Sequence, residues 1–206
     1  MRSIFAVIEG LDGSGGTTQS RLLASWLEQK GQEVLLTQEP TNGPVGVLIR
    51  DALTNPHSKL SNSVLAYLFA ADRRDHLDRE IVPAIHAGKA VISDRYYHSS
   101  LAYQSLAVGL PMVSMLNENF RAPDIAFLLW LEPETSFERV QLRGEPVERF
   151  ETLDRLRNVA DSYETVYNMC KQRGENIIKI DATQSIEEMH AQIVRHVEAL
   201  LQSNAD

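Results

Sequence analysis

A single cysteine, Cys170, leaves no internal disulfide to be formed. It sits among residues of helical pattern, which points to a buried, inert thiol rather than a nucleophile. The chain has no early signal-peptide pattern and no apolar run long enough to span a bilayer, so a soluble, cytoplasmic protein without a membrane partner is expected. Paired zinc ligands are missing too, since His190 and His196 share the last helical segment at a spacing that does not suit zinc. A formal net charge of -8 argues against nucleic acid as a partner. No repeat, low-complexity tract or Pro/Ser-rich linker divides the 206 residues, so one domain over 1-206 is the expectation. The cations present are mostly arginine, fifteen of twenty, a residue suited to gripping small anions.

The chain is organised around Val7-Ile8-Glu9-Gly10-Leu11-Asp12-Gly13-Ser14-Gly15-Gly16-Thr17-Thr18. Ile4 to Ile8 form a short β-branched run suited to a buried parallel strand, and Thr17 to Lys30 carry helical periodicity through Leu22, Leu23, Trp26 and Leu27. Four glycines lie between, where positive φ values can turn successive N–H groups inward at the positive end of the following helix. The spacing is that of G-x-x-x-x-G-K-[ST], but Gly16 stands where the lysine belongs. Backbone cradling by Gly10, Gly13, Ser14, Gly15, Gly16 and Thr18 survives that change, as does a metal-facing hydroxyl from Thr17. The alternative is a tight turn without a ligand.

Beyond the loop, strands and helices alternate. Glu33 to Thr37 make a second strand ending at Gln38-Glu39-Pro40-Thr41, and Gly46 to Leu53 a short helix bearing Arg50. A helix from about Ser61 runs into Asp72-Arg73-Arg74-Asp75-His76, either a solvated face or a functional one. Ile81 to His86 continue the helical pattern, and Ala90 to Ser93 form a third strand ending at Asp94-Arg95-Tyr96. There a carboxylate can hold magnesium or its waters and a guanidinium can fork a phosphate. Ser99 to Leu106 and Pro111 to Asn119 read as helices, Ile125 to Leu131 as a fourth strand, and Phe137 to Arg143 as a helix. The segment around 143–150 carries a glycine and a proline between Arg143 and Arg149, and reads as a mobile lid over transferring phosphates or as an exposed basic turn. Leu153 to Arg173 form a long helix, Asn176 to Ile180 a fifth strand, and Ser185-Ile186-Glu187-Glu188 a capping box opening the last helix. The result is an α/β fold, a five-stranded parallel sheet with helices on both faces.

Several separated motifs together resemble the thymidylate (dTMP) kinases, a family of P-loop nucleoside-monophosphate kinases. The resemblance spans almost the whole chain. It rests on Phe5-Ala6-Val7-Ile8-Glu9-Gly10-Leu11-Asp12-Gly13, on Glu39-Pro40, on Leu68-Phe69-Ala70-Ala71-Asp72-Arg73 with His76, and on Asp94-Arg95-Tyr96-x-x-Ser99-x-x-Ala102-Tyr103-Gln104. Asp181-Ala182-Thr183 looks like the short turn near the adenine.

The resemblance implies transfer of the γ-phosphate of ATP to dTMP, with magnesium, by a homodimer. Phe69 would stack on thymine, with Arg73, Ser99 and Gln104 reading its polar edge. Tyr103 would lie against the deoxyribose and Asp12 near its 3′-hydroxyl. Arg95 and Arg50 would hold the acceptor phosphate, with Glu39 and Pro40 also at the dTMP, while Thr17, Glu39 and Asp94 organise magnesium. Gly16 for lysine, Gln38 for a common arginine and Glu132 for a common aspartate depart from the family pattern. Loss of one preorganised charge donor costs on the order of 3–4 kcal/mol of transition-state stabilisation. One branch of the family supplies its basic residues from the lid, and Ser14 with Arg143 and Arg149 resembles that branch. A non-catalytic nucleotide-binding relative, favoured by Gly16, and a deoxynucleoside kinase are the competing readings.

Overall fold

In a computed structural model, the described residues are 3–55, 57–142 and 152–203. The lid segment expected around 143–150, with Arg143 and Arg149, lies outside them.

β1 (Phe5–Gly10) is the middle strand, and every one of its residues is buried. It pairs in parallel with β3 (Ala90–Asp94) on one side and β4 (Ile125–Trp130) on the other. β2 (Val34–Gln38) lies outside β3 and β5 (Ile177–Asp181) outside β4, giving the order β2-β3-β1-β4-β5, parallel throughout. Successive side chains of a strand point to opposite faces, and both faces are packed. Phe5 and Val7 join a core with Leu65, Leu101, Val159 and Tyr163, whereas Ala6 and Ile8 join one with Leu23, Leu27, Ile193 and Val197. α3 (Asn62–His76), α5 (Tyr97–Tyr103) and α9 (Leu153–Gln172) therefore cover one face, and α1 (Gly16–Gln29) and α10 (Ile186–Ser203) the other. This is the expected fold, built with both faces buried as near-continuous apolar strands require.

The expected helix stops and starts come from local hydrogen bonding. At the end of α1, Gly31 N–H donates to Glu28 O at 2.9 Å and Gln32 N–H to Leu27 O at 3.0 Å, the paired bonds of a Schellman turn. Ser61 Oγ accepts from Val64 N–H and caps α3. The capping box forms as expected: Ser185 Oγ accepts from Glu188 N–H at 3.2 Å, and Glu188 Oε2 accepts from Ser185 N–H at 3.0 Å.

Three boundaries differ from the sequence expectation. Between α3 and α4 (Val82–His86) the chain takes a π-helical turn, Leu77–Ile81. Pro83 has no N–H to return to the preceding turn, and the wider turn accommodates it. The helix expected over Ser99 to Leu106 begins two residues earlier as α5 and gives way at Gln104 to α6 (Ser105–Val108), which Gly109 ends at φ 86°. α8 (Pro133–Leu142) starts at its proline rather than at Phe137, because proline is tolerated in a first helical turn. The short α2 (Pro44–Thr54) and α7 (Leu110–Asn117) complete the described helices.

Leu23 is fully buried in the core that fastens α1, and with it the glycine-rich turn, to the sheet. Leu23→Ala should cost about 3 kcal/mol through lost burial and the cavity left behind, read as a lower urea midpoint with the m-value unchanged.

Candidate active site

The strand register brings four loop starts to one edge of the sheet. Asp94 lies beside Ile8 on one side and Gln38 on the other, and Gly10 lies beside Leu129. In an open parallel sheet the ligand crevice opens outside these carboxyl ends. Two adjoining cavities occur there, of about 370 and 360 Å³.

The smaller is formed by the glycine-rich turn. Gly10, Gly13, Ser14, Gly15, Gly16, Thr17 and Thr18, all expected at a phosphate, line it together. Gly10 has φ 153°, and a β-carbon there would come within 2.6 Å of the Leu129 carbonyl, so no other residue fits without a backbone shift. Gly15, at φ 96°, turns the chain into α1, whose unpaired N–H groups and dipole favour an anion. At Gly16 a β-carbon would lie 3.0 Å from Asp94 Oδ1. The absent side chain thus leaves room for the Asp94 carboxylate to approach the helix start.

Asp94 Oδ2 accepts from Thr17 Oγ1 at 2.6 Å. Burial pushes the Asp94 carboxyl above its usual range, against the Arg95 charge and the Thr17 hydrogen bond. A hydroxyl and a carboxylate are hard oxygen donors, the set that suits a magnesium ion retaining several waters. Glu39, expected with them, lines a cavity together with Thr17 and Asp94, and its carboxylate is engaged on its other side. Its Oε2 accepts from Arg73 Nε at 2.8 Å, and its Oε1 lies 3.1 Å from His76 Nδ1.

The larger cavity is lined by Asp12, Glu39, Pro40, Arg50, Phe69, Arg73, Arg95, Ser99, Tyr103 and Gln104, every residue expected around the acceptor, together with Asp94, Thr17 and Ser100. The charged run at the end of α3 resolves into two faces. Asp72, Arg73 and His76 are buried, while Arg74 and Arg79 pair with Asp78 and Asp75 at the surface. Asp72 accepts from the Thr41 N–H and hydroxyl, fixing the loop after Glu39-Pro40. Arg73, 1% exposed, spends its donors on Glu39, on Asn117 Oδ1 and on Ser100 Oγ at 3.1 Å, and stacks 5.3 Å from the Tyr96 ring. Arg50 donates to the Pro40 carbonyl at 2.8 Å.

Arg95 closes the wall between the cavities. It is a non-glycine residue at φ 71°, a conformation that costs of order 1–3 kcal/mol and persists only when surroundings hold it. They do: Nη2 donates to Asp12 Oδ1 at 2.6 Å, and Nη1 to Gly10 O at 3.0 Å and Ser99 Oγ at 3.1 Å, with Tyr103 beneath at 5.4 Å. Asp12, Thr17, Asp94 and Arg95 line both cavities.

Other residues emerge only in three dimensions. Arg139 on α8 donates to Gly13 O at 3.3 Å and lines the phosphate cavity. It stands four residues before Arg143 in the chain, and that spacing was its only signal in the sequence. Ser136 Oγ donates to Asp12 O at 2.6 Å. Ser100, not the neighbouring Ser99, faces Arg73, because the Ser99 hydroxyl is held by Glu9, Arg95 and Tyr163. Asp181, Ala182 and Thr183 form a turn pinned by Asp181 Oδ1 to the Thr183 N–H and hydroxyl. The adjoining small cavity, of about 310 Å³, is lined from Gln184 onward by Ser185, Ile186 and Met189, with Arg139, Ser14 and Gly15 opposite.

A glycine-rich anion loop and a second cavity across one arginine wall, on this sheet order, define a P-loop nucleotide kinase. The thymidylate kinase family model matches residues 8–193. A probable thymidylate kinase of Pyrococcus horikoshii is 44% identical over 200 residues, covering 94% of this chain and 95% of the relative. One of Thermococcus kodakarensis is 41% identical, covering 96% and 98%, and a thymidylate kinase of Desulfotalea psychrophila 40% identical, covering 95% and 94%. The chain belongs to the thymidylate kinase family, and so to the nucleoside-monophosphate kinases.

Glu39 is the buried counter-charge of Arg73, with side chains 3% and 1% exposed. Glu39→Ala leaves that cation uncompensated and should destabilise the fold by about 3–5 kcal/mol, read from urea unfolding. A loss under about 1 kcal/mol would mean water replaces the carboxylate there.

Proposed function

We propose that the chain phosphorylates dTMP to dTDP with the γ-phosphate of magnesium-bound ATP. The observation that carries this reading is that the ten acceptor-side residues named from sequence line one cavity, sharing Asp12, Thr17, Asp94 and Arg95 with the phosphate-loop cavity. The donor phosphates sit on the backbone of Gly10 to Thr18 at the start of α1, and the adenine in the small cavity between Arg139 and Ile186. Thymine enters beside Phe69, where Arg73, Ser100 and Gln104 meet its polar edge. Tyr103 and Asp12 lie against the sugar, and Arg95 with Arg50 takes the acceptor phosphate. Thr17 and Asp94 hold magnesium or its waters, and Glu39 acts on the site through Arg73. Magnesium, when bound, neutralises charge on the transferring group.

The acceptor is already an anion at neutral pH, so positioning and charge neutralisation supply the catalysis and no general base is required. A nucleoside acceptor would need one. In place of the missing lysine, Arg139, at the loop, and Arg143 and Arg149, outside the described residues, supply the cations. The protein works as a homodimer through α3, a role supported by exposed Val64 and Tyr67 on that helix.

The test is ATP-dependent turnover with dTMP and thymidine as separate acceptors. The unaltered protein should convert dTMP and leave thymidine untouched, and Arg95→Met should lower kcat/KM about 100- to 1000-fold. Replacing Arg143 and Arg149 together with alanine should lower kcat at least roughly tenfold, with the KM for dTMP little changed. Conversion of thymidine instead of dTMP contradicts the acceptor assignment, and unchanged turnover of the double variant contradicts the source of the cations.

A further inference from the structure

Arg95's hydroxyl partners lead inward to buried groups that phosphoryl transfer itself does not use. Ser99 Oγ and Tyr163 Oη accept from Arg95 Nη1 at 3.1 and 3.4 Å, and both donate to Glu9 Oε2, at 2.5 and 3.1 Å. The other oxygen, Glu9 Oε1, accepts from the backbone N–H of Tyr96 at 2.8 Å and of Ser99 at 3.3 Å. It also lies 3.5 Å from His98 Nδ1. The far nitrogen of the same ring, Nε2, is 3.1 Å from Glu175 Oε2, which accepts the Tyr97 hydroxyl at 2.6 Å. His98 and Glu9 are both buried.

His98 Nε2 is hydrogen-bonded to Glu175, whereas Nδ1 makes no hydrogen bond among the described residues and faces Glu9 Oε1 at ion-pair distance, so a ring with protons on both nitrogens opposes a carboxylate oxygen at each end. Its remaining neighbours are the Tyr97 ring, stacked at 4.1 Å, and the buried Cys170 thiol of α9. The ligating atoms of His98, Cys170 and Glu175 come within 4.8 Å of one another. The His98–Glu175 hydrogen bond brings two of these three groups together.

We propose that His98 is a positioning residue for the acceptor-phosphate clamp: as a buried imidazolium it anchors the Glu9 carboxylate, which aligns the Ser99 and Tyr163 hydroxyls that hold Arg95. The inference rests on the reading that Arg95 grips the phosphate of dTMP. Electrostatics agree with the geometry. Burial works against a charged His98, but the neighbouring Cys170, Glu175 and Glu9 together raise its pKa well above the usual value. Burial likewise opposes an ionised Glu9, and His98, Ser99 and Arg95 together hold its carboxyl below the usual range.

The test compares binding of dTMP and of thymidine, which share every contact except those to the phosphate. His98→Gln should weaken dTMP about tenfold while thymidine stays within about twofold. A purely structural role would weaken both alike or lower thermal stability alone, and either result overturns the proposal. Arg95→Met separates the two readings. If it leaves the dTMP-to-thymidine ratio unchanged, the phosphate assignment falls and the inference with it; if it collapses the ratio and His98→Gln does not, only the role of His98 falls. A measurement on the unaltered protein needs no variant to fold. The imidazole nitrogen resonances of His98 should show protons on both nitrogens at about pH 8, where an ordinary histidine is neutral. A singly protonated ring there contradicts the proposal.

Discussion

Arg95 leaves the end of β3 in a left-handed conformation and reaches across to the Gly10 carbonyl at the end of β1 and to Asp12 in the glycine-rich turn. That contact joins the two loops on which everything else at the site depends. One guanidinium thereby forms the partition between the two cavities, and these contacts fix its orientation. Preorganisation of this kind is what electrostatic catalysis requires, because charge held in place costs nothing to reorient during reaction. The strain at φ 71° and the buried hydrogen bonds behind it are the two sides of that arrangement.

The rest of the fold serves to bring these groups into register. Parallel pairing aligns Ile8, Asp94 and Gln38 across three strands, so the residues just beyond them emerge together. Side chains of α1 on one face and α3, α5 and α9 on the other then anchor the loops into two packed cores. Gly16 belongs to the same geometry. Where a lysine would extend from the first turn of α1, the Asp94 carboxylate comes close instead, and positive charge arrives from α8 through Arg139.

Most of this was legible in the sequence where a signal is local. Strand runs, the capping box at Ser185 and the glycine spacing each depend on neighbouring residues, and the structure places them as read. The motif residues likewise converge on their cavities. What was not legible depends on contacts far apart in the chain. The run from Asp72 to Arg79 divides into buried and exposed charges only when α3 meets the loop carrying Glu39 and Thr41. Glu39 was read only with the magnesium and acceptor residues, and its contacts with Arg73 and His76 emerge once α3 is packed against its loop. Ser99 and Ser100 are adjacent in sequence, and only the turn of α5 decides that one supports Arg95 and the other faces Arg73. Tyr163, Asn117 and Arg139 carried no motif at all.

The two cavities share one wall, and in the proposed reaction donor and acceptor phosphates meet across it. A single compound joining adenosine and thymidine through a chain of phosphates tests this directly by titration calorimetry. One molecule should bind per chain, displacing both ATP and dTMP, with an affinity at least about 100-fold above the tighter of the two alone, because the second half binds at high effective concentration. Two molecules bound per chain, or an affinity no better than one half alone, would contradict a shared wall.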